Sequence, residues 1–202
     1  MLLTIKLIFM GLLSVAAIAL AFLRGQGFYV WAAAALLFSW LGDAMLGAWR
    51  PLARRVANRF LAGMGFFGCA QLCYALAFGL YLLDRPDGSV RAVVFLAVAL
   101  AAGWGAWRLL ISGSKRDGFY RYGALAYALL LFAMAGLAGA ACFHAGRFVW
   151  PLLLGALLFV ASDGLIAMSV FRNKTPAQYE LLVWATYAPA QLLLLTGLVL
   201  LR

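Results

Sequence analysis

The chain has 202 residues, of which 67% are hydrophobic and only 11% charged. Soluble domains carry about 25% charged residues, so this chain cannot cover a water-facing surface and a soluble globular fold is excluded. Its formal charge of +10 would point to nucleic acid in a soluble protein. Here the Lys and Arg residues fall between apolar segments, where they orient spans in a bilayer. The expected partner is therefore the lipid bilayer and not nucleic acid.

Seven apolar segments follow one another, at about 3–23, 28–48, 59–83, 91–111, 119–142, 147–171 and 178–201. Each reaches the roughly 20 residues that a spanning helix needs. Helix is the required state, because lipid cannot satisfy backbone groups and a barrel strand would alternate apolar with polar residues. The breaks carry charge or turn chemistry: Arg24-Gly25-Gln26-Gly27, Arg50-Pro51, Asp84 to Gly88, Ser112 to Gly118, and Asn173 to Pro176. No linker is long enough to separate domains. The expectation is a single all-α transmembrane bundle over residues 1–202, with seven or eight spans. Ala19-Leu20-Ala21 also has the form of a cleavage site, so residues 1–23 read either as a span or as a signal peptide.

Eleven of the sixteen basic residues fall on one side of this layout: Lys6, Arg50, Arg54, Arg55, Arg59, Arg108, Lys115, Arg116, Arg121, Arg172 and Lys174. Arg24, Arg85, Arg91, Arg147 and Arg202 fall on the other. The positive-inside rule then puts the N-terminus in the cytoplasm and the C-terminus outside, and a bacterial inner membrane is the expected location.

With His144 as its only histidine, the chain cannot build a multi-histidine zinc site. Cys69, Cys73 and Cys142 lie in apolar segments without metal-ligand spacing. No metal and no cofactor is expected, although a carboxylate-bound Mg²⁺ stays open. No two glycines are four apart, so a GxxxG face is absent.

The chemistry must come from polar residues inside spans. Of six acidic residues, Asp84, Asp87, Asp117 and Glu180 lie in loops or at span ends, but Asp43 and Asp163 do not. An intramembrane carboxylate costs several kcal/mol unless it faces a cavity or a partner. Spans 2 and 6 run the same way, and at a rise of 1.5 Å per residue the two carboxylates differ in depth by about one turn. Two such groups in a low-dielectric bundle do not ionise equally, which gives an acid and a base from identical side chains. The competing reading is that each Asp simply bonds a neighbouring hydroxyl or indole to fix helix packing.

Gln71 and Tyr74 share a face of span 3, and Tyr187 and Gln191 share a face of span 7. All four are candidates to orient substrate or water, and packing is an equal alternative for each. Ser39 and Ser162 have no histidine within reach, so a Ser–His nucleophile is not built here. A faint internal echo links the halves: Ala35-Leu36-Leu37-Phe38 with Ala156-Leu157-Leu158-Phe159, and Ala70-Gln71-Leu72 with Ala190-Gln191-Leu192. Asp43 precedes Gln71 by 28 residues, as Asp163 precedes Gln191.

These residues carry a family resemblance. Phe38-Ser39-Trp40-Leu41-Gly42-Asp43 resembles the "SLLGD" signature of the lysoplasmalogenase (YhhN-like) family. Gly155-Ala156-Leu157-Leu158-Phe159-Val160-Ala161-Ser162-Asp163 resembles its "GAxLFxxSD" signature, and Tyr187-Ala188-Pro189-Ala190-Gln191 its "YxxAQ" element. The resemblance runs from about Lys6 to the C-terminus. It implies a polytopic membrane hydrolase that cleaves the vinyl ether of lysoplasmalogens into a fatty aldehyde and a glycerophospho head group. The motif carboxylates correspond to Asp43 and Asp163, so the lysophospholipid is the expected substrate and these two residues the expected catalytic pair.

Two departures stand out. Gln71-Leu72-Cys73-Tyr74 occupies the place of the family's His-x-x-Tyr, and the first helix of the usual eight-helix layout has no counterpart. A proton-coupled small-molecule transporter uses buried carboxylates in the same way, and a catalytically silent family member is the third reading.

Overall fold

The structure, a computed structural model, describes residues 2–54, 56–144 and 149–201, apart from the side chains of Leu2, Arg50 and His144. Arg55, Arg147 and Arg202, and the start of the sixth predicted span at 147–148, lie outside the described residues. Among the described residues there are eight helices and no strand: α1 Leu2–Arg24, α2 Gly27–Leu46, α3 Arg50–Ala53, α4 Arg59–Leu83, α5 Gly88–Leu110, α6 Gly118–His144, α7 Trp150–Arg172 and α8 Tyr179–Leu200. All but α3 are long and apolar enough to cross a membrane, which gives seven candidate spans. This is an all-α integral membrane protein.

The boundaries follow local chemistry. α2 stops at Leu46, two residues before the apolar run ends, because Ala48 adopts a left-handed φ of 55° and Pro51 opens α3. Asn58 starts α4 by accepting the Leu61 N–H at 3.0 Å. Pro151 stands in the first turn of α7, and Asn173 closes it in the left-handed form. α5 begins at Gly88, three residues before the apolar run, with the Arg91 N–H bonded to the Asp87 carbonyl at 3.1 Å.

A left-handed alanine is costly, roughly 1–2 kcal/mol, and glycine adopts that form without penalty. Ala48→Gly should therefore raise stability by about 0.5–1 kcal/mol. A thermal melt in detergent reads this, and an unchanged or lower midpoint would show that the turn carries no strain.

The chain divides into two compact units, residues 1–80 and 81–202. In the first, α1 packs on α2, and the Trp40 Nε1 donates to the Leu7 carbonyl at 3.0 Å. α2 meets α4 through small residues. A methyl group at Gly42 would lie 2.6 Å from the Phe67 ring, and one at Gly63 would lie 2.6 Å from Leu46.

In the second unit α5 pairs with α6, α6 with α7, and α7 with α8. A methyl at Gly155 would lie 3.0 Å from the Ala190 carbonyl, and one at Gly197 would lie 2.5 Å from Leu152, so α7 and α8 approach at backbone distance. Close approach through isolated small residues is how helices associate in lipid, where no hydrophobic force drives them together. The end of α5 and the turn that follows it are held from two sides. Arg172 at the end of α7 donates Nε to the Leu110 carbonyl at 2.9 Å and a second N–H to that of Leu109. Arg121 on α6 donates to the Ser112 carbonyl at 3.1 Å and accepts the Trp107 Nε1 on its own carbonyl at 2.8 Å. Cations at a helix C-terminus satisfy carbonyls that have no partner within the helix.

Candidate functional site

The six residues singled out by the sequence divide evenly: Asp43, Gln71 and Tyr74 fall in the first unit, Asp163, Tyr187 and Gln191 in the second. Within the first, Gly42 faces Phe67 and Leu46 faces Gly63. This antiparallel register brings Gln71 level with Phe38 and Ser39, and Phe38 stacks on Phe66 with centroids 6.4 Å apart. Gln71 thus stands about 6–7 Å along the α2 axis from the level of Asp43, at 1.5 Å per residue. Asp43 is partly buried, one turn before the end of α2.

Gln71 itself is 0% exposed. Neither its Oε1 nor its Nε2 has a hydrogen-bond partner among the described residues. A buried amide left unpaired costs about 1–3 kcal/mol; among the described residues the other buried side-chain atom without a partner is Arg121 Nε. Tyr74, one turn on, is also fully buried and stacks on Phe78 with ring centroids 6.1 Å apart.

In the second unit the Tyr127 hydroxyl of α6 donates to Asp163 Oδ2 at 2.6 Å. The sequence does not single out Tyr127. Tyrosines also occur at 120 and 122 of the same segment, and nothing in their spacing marks which one faces α7. The adjacent Ser162 donates to the Val183 carbonyl of α8 at 3.3 Å. Tyr187 is buried and packs edge-to-face on Phe159 at 5.5 Å. Gln191 is fully buried. The contacts of Gly155 with Ala190 and Leu194 put Gln191 level with Gly155 and Ala156, so it stands two turns, about 11 Å, from the level of Asp163.

The equal 28-residue spacing of the two Asp–Gln pairs therefore does not give equal geometry. Twelve residues, including α3, separate α2 from α4, but only six separate α7 from α8. Asp43 is three residues from the end of its helix and Asp163 nine. At 1.5 Å per residue the two carboxylates thus lie about 4–5 Å and about 13–14 Å from the ends of their own helices.

Of the remaining features, the three cysteines are free. Among the described residues no three His, Cys, Asp or Glu side chains gather as a metal site would require. The sequence model of the YhhN family matches residues 2–198, nearly the whole chain. The chain belongs to the YhhN family. This family includes lysoplasmalogenases, so membership points to a lysoplasmalogenase-type function and to a hydrolase. No curated protein and no solved structure matches the chain. Asp43 and Asp163 are both partly buried, on helices long and apolar enough to cross a membrane.

Proposed function

We propose that this YhhN-family protein is a membrane hydrolase that cleaves the vinyl ether bond of lysoplasmalogen-like lysophospholipids, with Asp43 and Asp163 as its acid and base. Family membership over residues 2–198 is the observation that carries the reading. In our proposal residues 1–202 work as one transmembrane domain of a bacterial inner membrane, N-terminus in the cytoplasm and C-terminus outside, in line with the eleven-to-five division of basic residues.

A vinyl ether is hydrolysed by protonation of its outer alkene carbon. The ether oxygen stabilises the resulting cation as an oxocarbenium. Water adds at the carbon bearing that oxygen and loses a proton, and the hemiacetal collapses to a fatty aldehyde and the free glycerol hydroxyl. The enzyme must supply one neutral acid and one negative group beside the cation, as paired carboxylates do in glycoside hydrolysis. The Tyr127 hydroxyl, which donates to Asp163 Oδ2, holds that carboxyl group in place for its share of the acid–base work. Gln71, Tyr74, Tyr187 and Gln191 orient water and substrate, and the unpaired amide of Gln71 supports this role best.

Tyr127→Phe keeps the ring and removes the donor. Hydrogen bonds to charged groups are worth about 1.5–3 kcal/mol, so kcat for aldehyde release should fall by about 10- to 100-fold with KM little changed. A variant with full kcat would reduce Tyr127 to a packing residue. The decisive assay is incubation of the purified protein with a lysolipid panel and detection of free aldehyde. Solute flux into liposomes without aldehyde would favour the transporter reading instead.

A further inference from the structure

The first unit has an open cavity of about 300 Å³, lined by Leu3, Thr4, Leu7 and Ile8 of α1, Trp40 of α2 and Trp49 just before α3. Its walls are apolar apart from the Thr4 hydroxyl and the two indoles. Trp40 is pinned by its bond to the Leu7 carbonyl, and it meets Trp49 edge-on with centroids 5.8 Å apart. Gly47 has no room for a side chain because Leu3 lies against it. The groove is therefore a fixed feature of the α1–α2 pair. Its volume is at the lower end for ligand cavities, which suits one aliphatic chain better than two. Ile8 on its wall is 59% exposed, and Ile5 and Leu12 on the same helix are exposed as well. In a bilayer a lipid chain can enter from the side.

Charge says what kind of lipid. Trp49 caps the N-terminus of α3, and the exposed Arg54 directly follows that helix, about 7–8 Å from Trp49 along its axis. The exposed Arg59 opens α4 at the same end of the unit. Tryptophans favour the membrane–water interface, and guanidinium groups bind phosphate through paired hydrogen bonds. An apolar slot for one chain, an indole rim and arginines beyond the rim match a single-chain, phosphate-bearing lipid.

We propose that the α1–α2 groove docks the chain of a lysophospholipid, with Arg54 at its phosphate. The proposal deepens the hydrolase reading, whose substrate this groove would receive, but it is tested apart from turnover. The probe is a lysophosphatidylethanolamine with a saturated alkyl ether chain that bears a diazirine, used on the full-length protein in phosphatidylcholine nanodiscs. The saturated ether has no alkene to protonate and is not cleaved. After irradiation, peptide mass spectrometry should locate adducts on Thr4–Ile8, Trp40 and Trp49. Labelling there should saturate, and excess unlabelled lysophospholipid should compete while added diacyl phosphatidylcholine should not.

Thr4→Trp fills the groove and should remove these adducts. Arg54→Glu, an exposed change that leaves the groove intact, should weaken competition by about fivefold, the scale of one solvent-exposed charge contact. Asp43→Asn should keep the labelling in full while losing aldehyde release. Saturable labelling by a protein that releases no aldehyde from any lysolipid would uphold the groove and sink the hydrolase reading. Non-saturable adducts spread along the lipid-facing helices, equal competition by diacyl lipid, or labelling indifferent to both groove variants would overturn the groove, whatever the enzyme assay gives.

Discussion

Asp43→Asn and Asp163→Asn should each lower aldehyde release from a lysoplasmenyl substrate by about 10²- to 10⁴-fold, the contribution of a positioned acid or base. Asparagine keeps the shape of the side chain but neither gives nor takes a proton. Both variants should express and melt close to the wild type, since an intramembrane carboxylate is a burden on stability and its neutral isostere removes that burden. The double variant decides whether the two residues act together. Groups that work as one unit are non-additive, so the second substitution should cost little once the first is made. A single variant that keeps most of its turnover would make that Asp a packing element and end the acid–base proposal. Losses that multiply in the double variant would mean two independent roles.

The second large effect is expected at Gln71. Its amide is fully buried and unpaired among the described residues, so replacing it with the similarly sized Met should raise stability by about 1–2 kcal/mol, the cost of an unsatisfied polar group. If the amide serves water or substrate, the same change should cut kcat/KM by more than about tenfold, or 1.4 kcal/mol in the barrier. A stabler and slower enzyme is the signature of a group kept for function at the expense of the fold. A lower melting midpoint would instead make Gln71 a structural residue.

Gln71→His tests the departure from the family pattern. Glutamine donates and accepts hydrogen bonds but carries no proton near pH 7, whereas histidine does. If the position only orients water, the His variant should lie within about tenfold of wild type. A silent wild type awakened by His through about 10²-fold or more would identify an obligatory proton shuttle and make this chain a silent member of its family.

Much of this architecture is legible in the sequence because lipid leaves the backbone one choice. Every apolar run of spanning length became a helix, and the breaks at Pro51, Gly88 and Asn173 fall where turn chemistry marks them. Asp43, Asp163, Gln71 and Gln191 stand out for the same reason, as polar groups in runs that should hold none. Pairing was not legible. That Tyr127, rather than Tyr120 or Tyr122, meets Asp163 depends on how α6 is rotated against α7, and apolar residues on all faces of α6 hide that rotation. The equal Asp–Gln spacing in the two halves does not carry the register, because α3 lengthens one connection. The unpaired state of Gln71 is a property of its neighbours, which no single position reveals.

The two arginine clasps on α5 also order events during synthesis. Arg172 follows Leu110 by 62 residues, so α5 and α6 leave the ribosome and enter the bilayer before their third partner exists. Until α7 arrives, the carbonyls of Leu109 and Leu110 must be served by interfacial water, and the α5–α6 hairpin is only provisionally seated. Arrival of Arg172 locks it. Arg121 and Arg172 thus belong both to the basic residues on which the proposed orientation rests and to the contacts that finish the fold. An attempt to invert the protein in the membrane by exchanging its loop charges would have to spare these two, or the inserted chain would be left with an unfastened helix end.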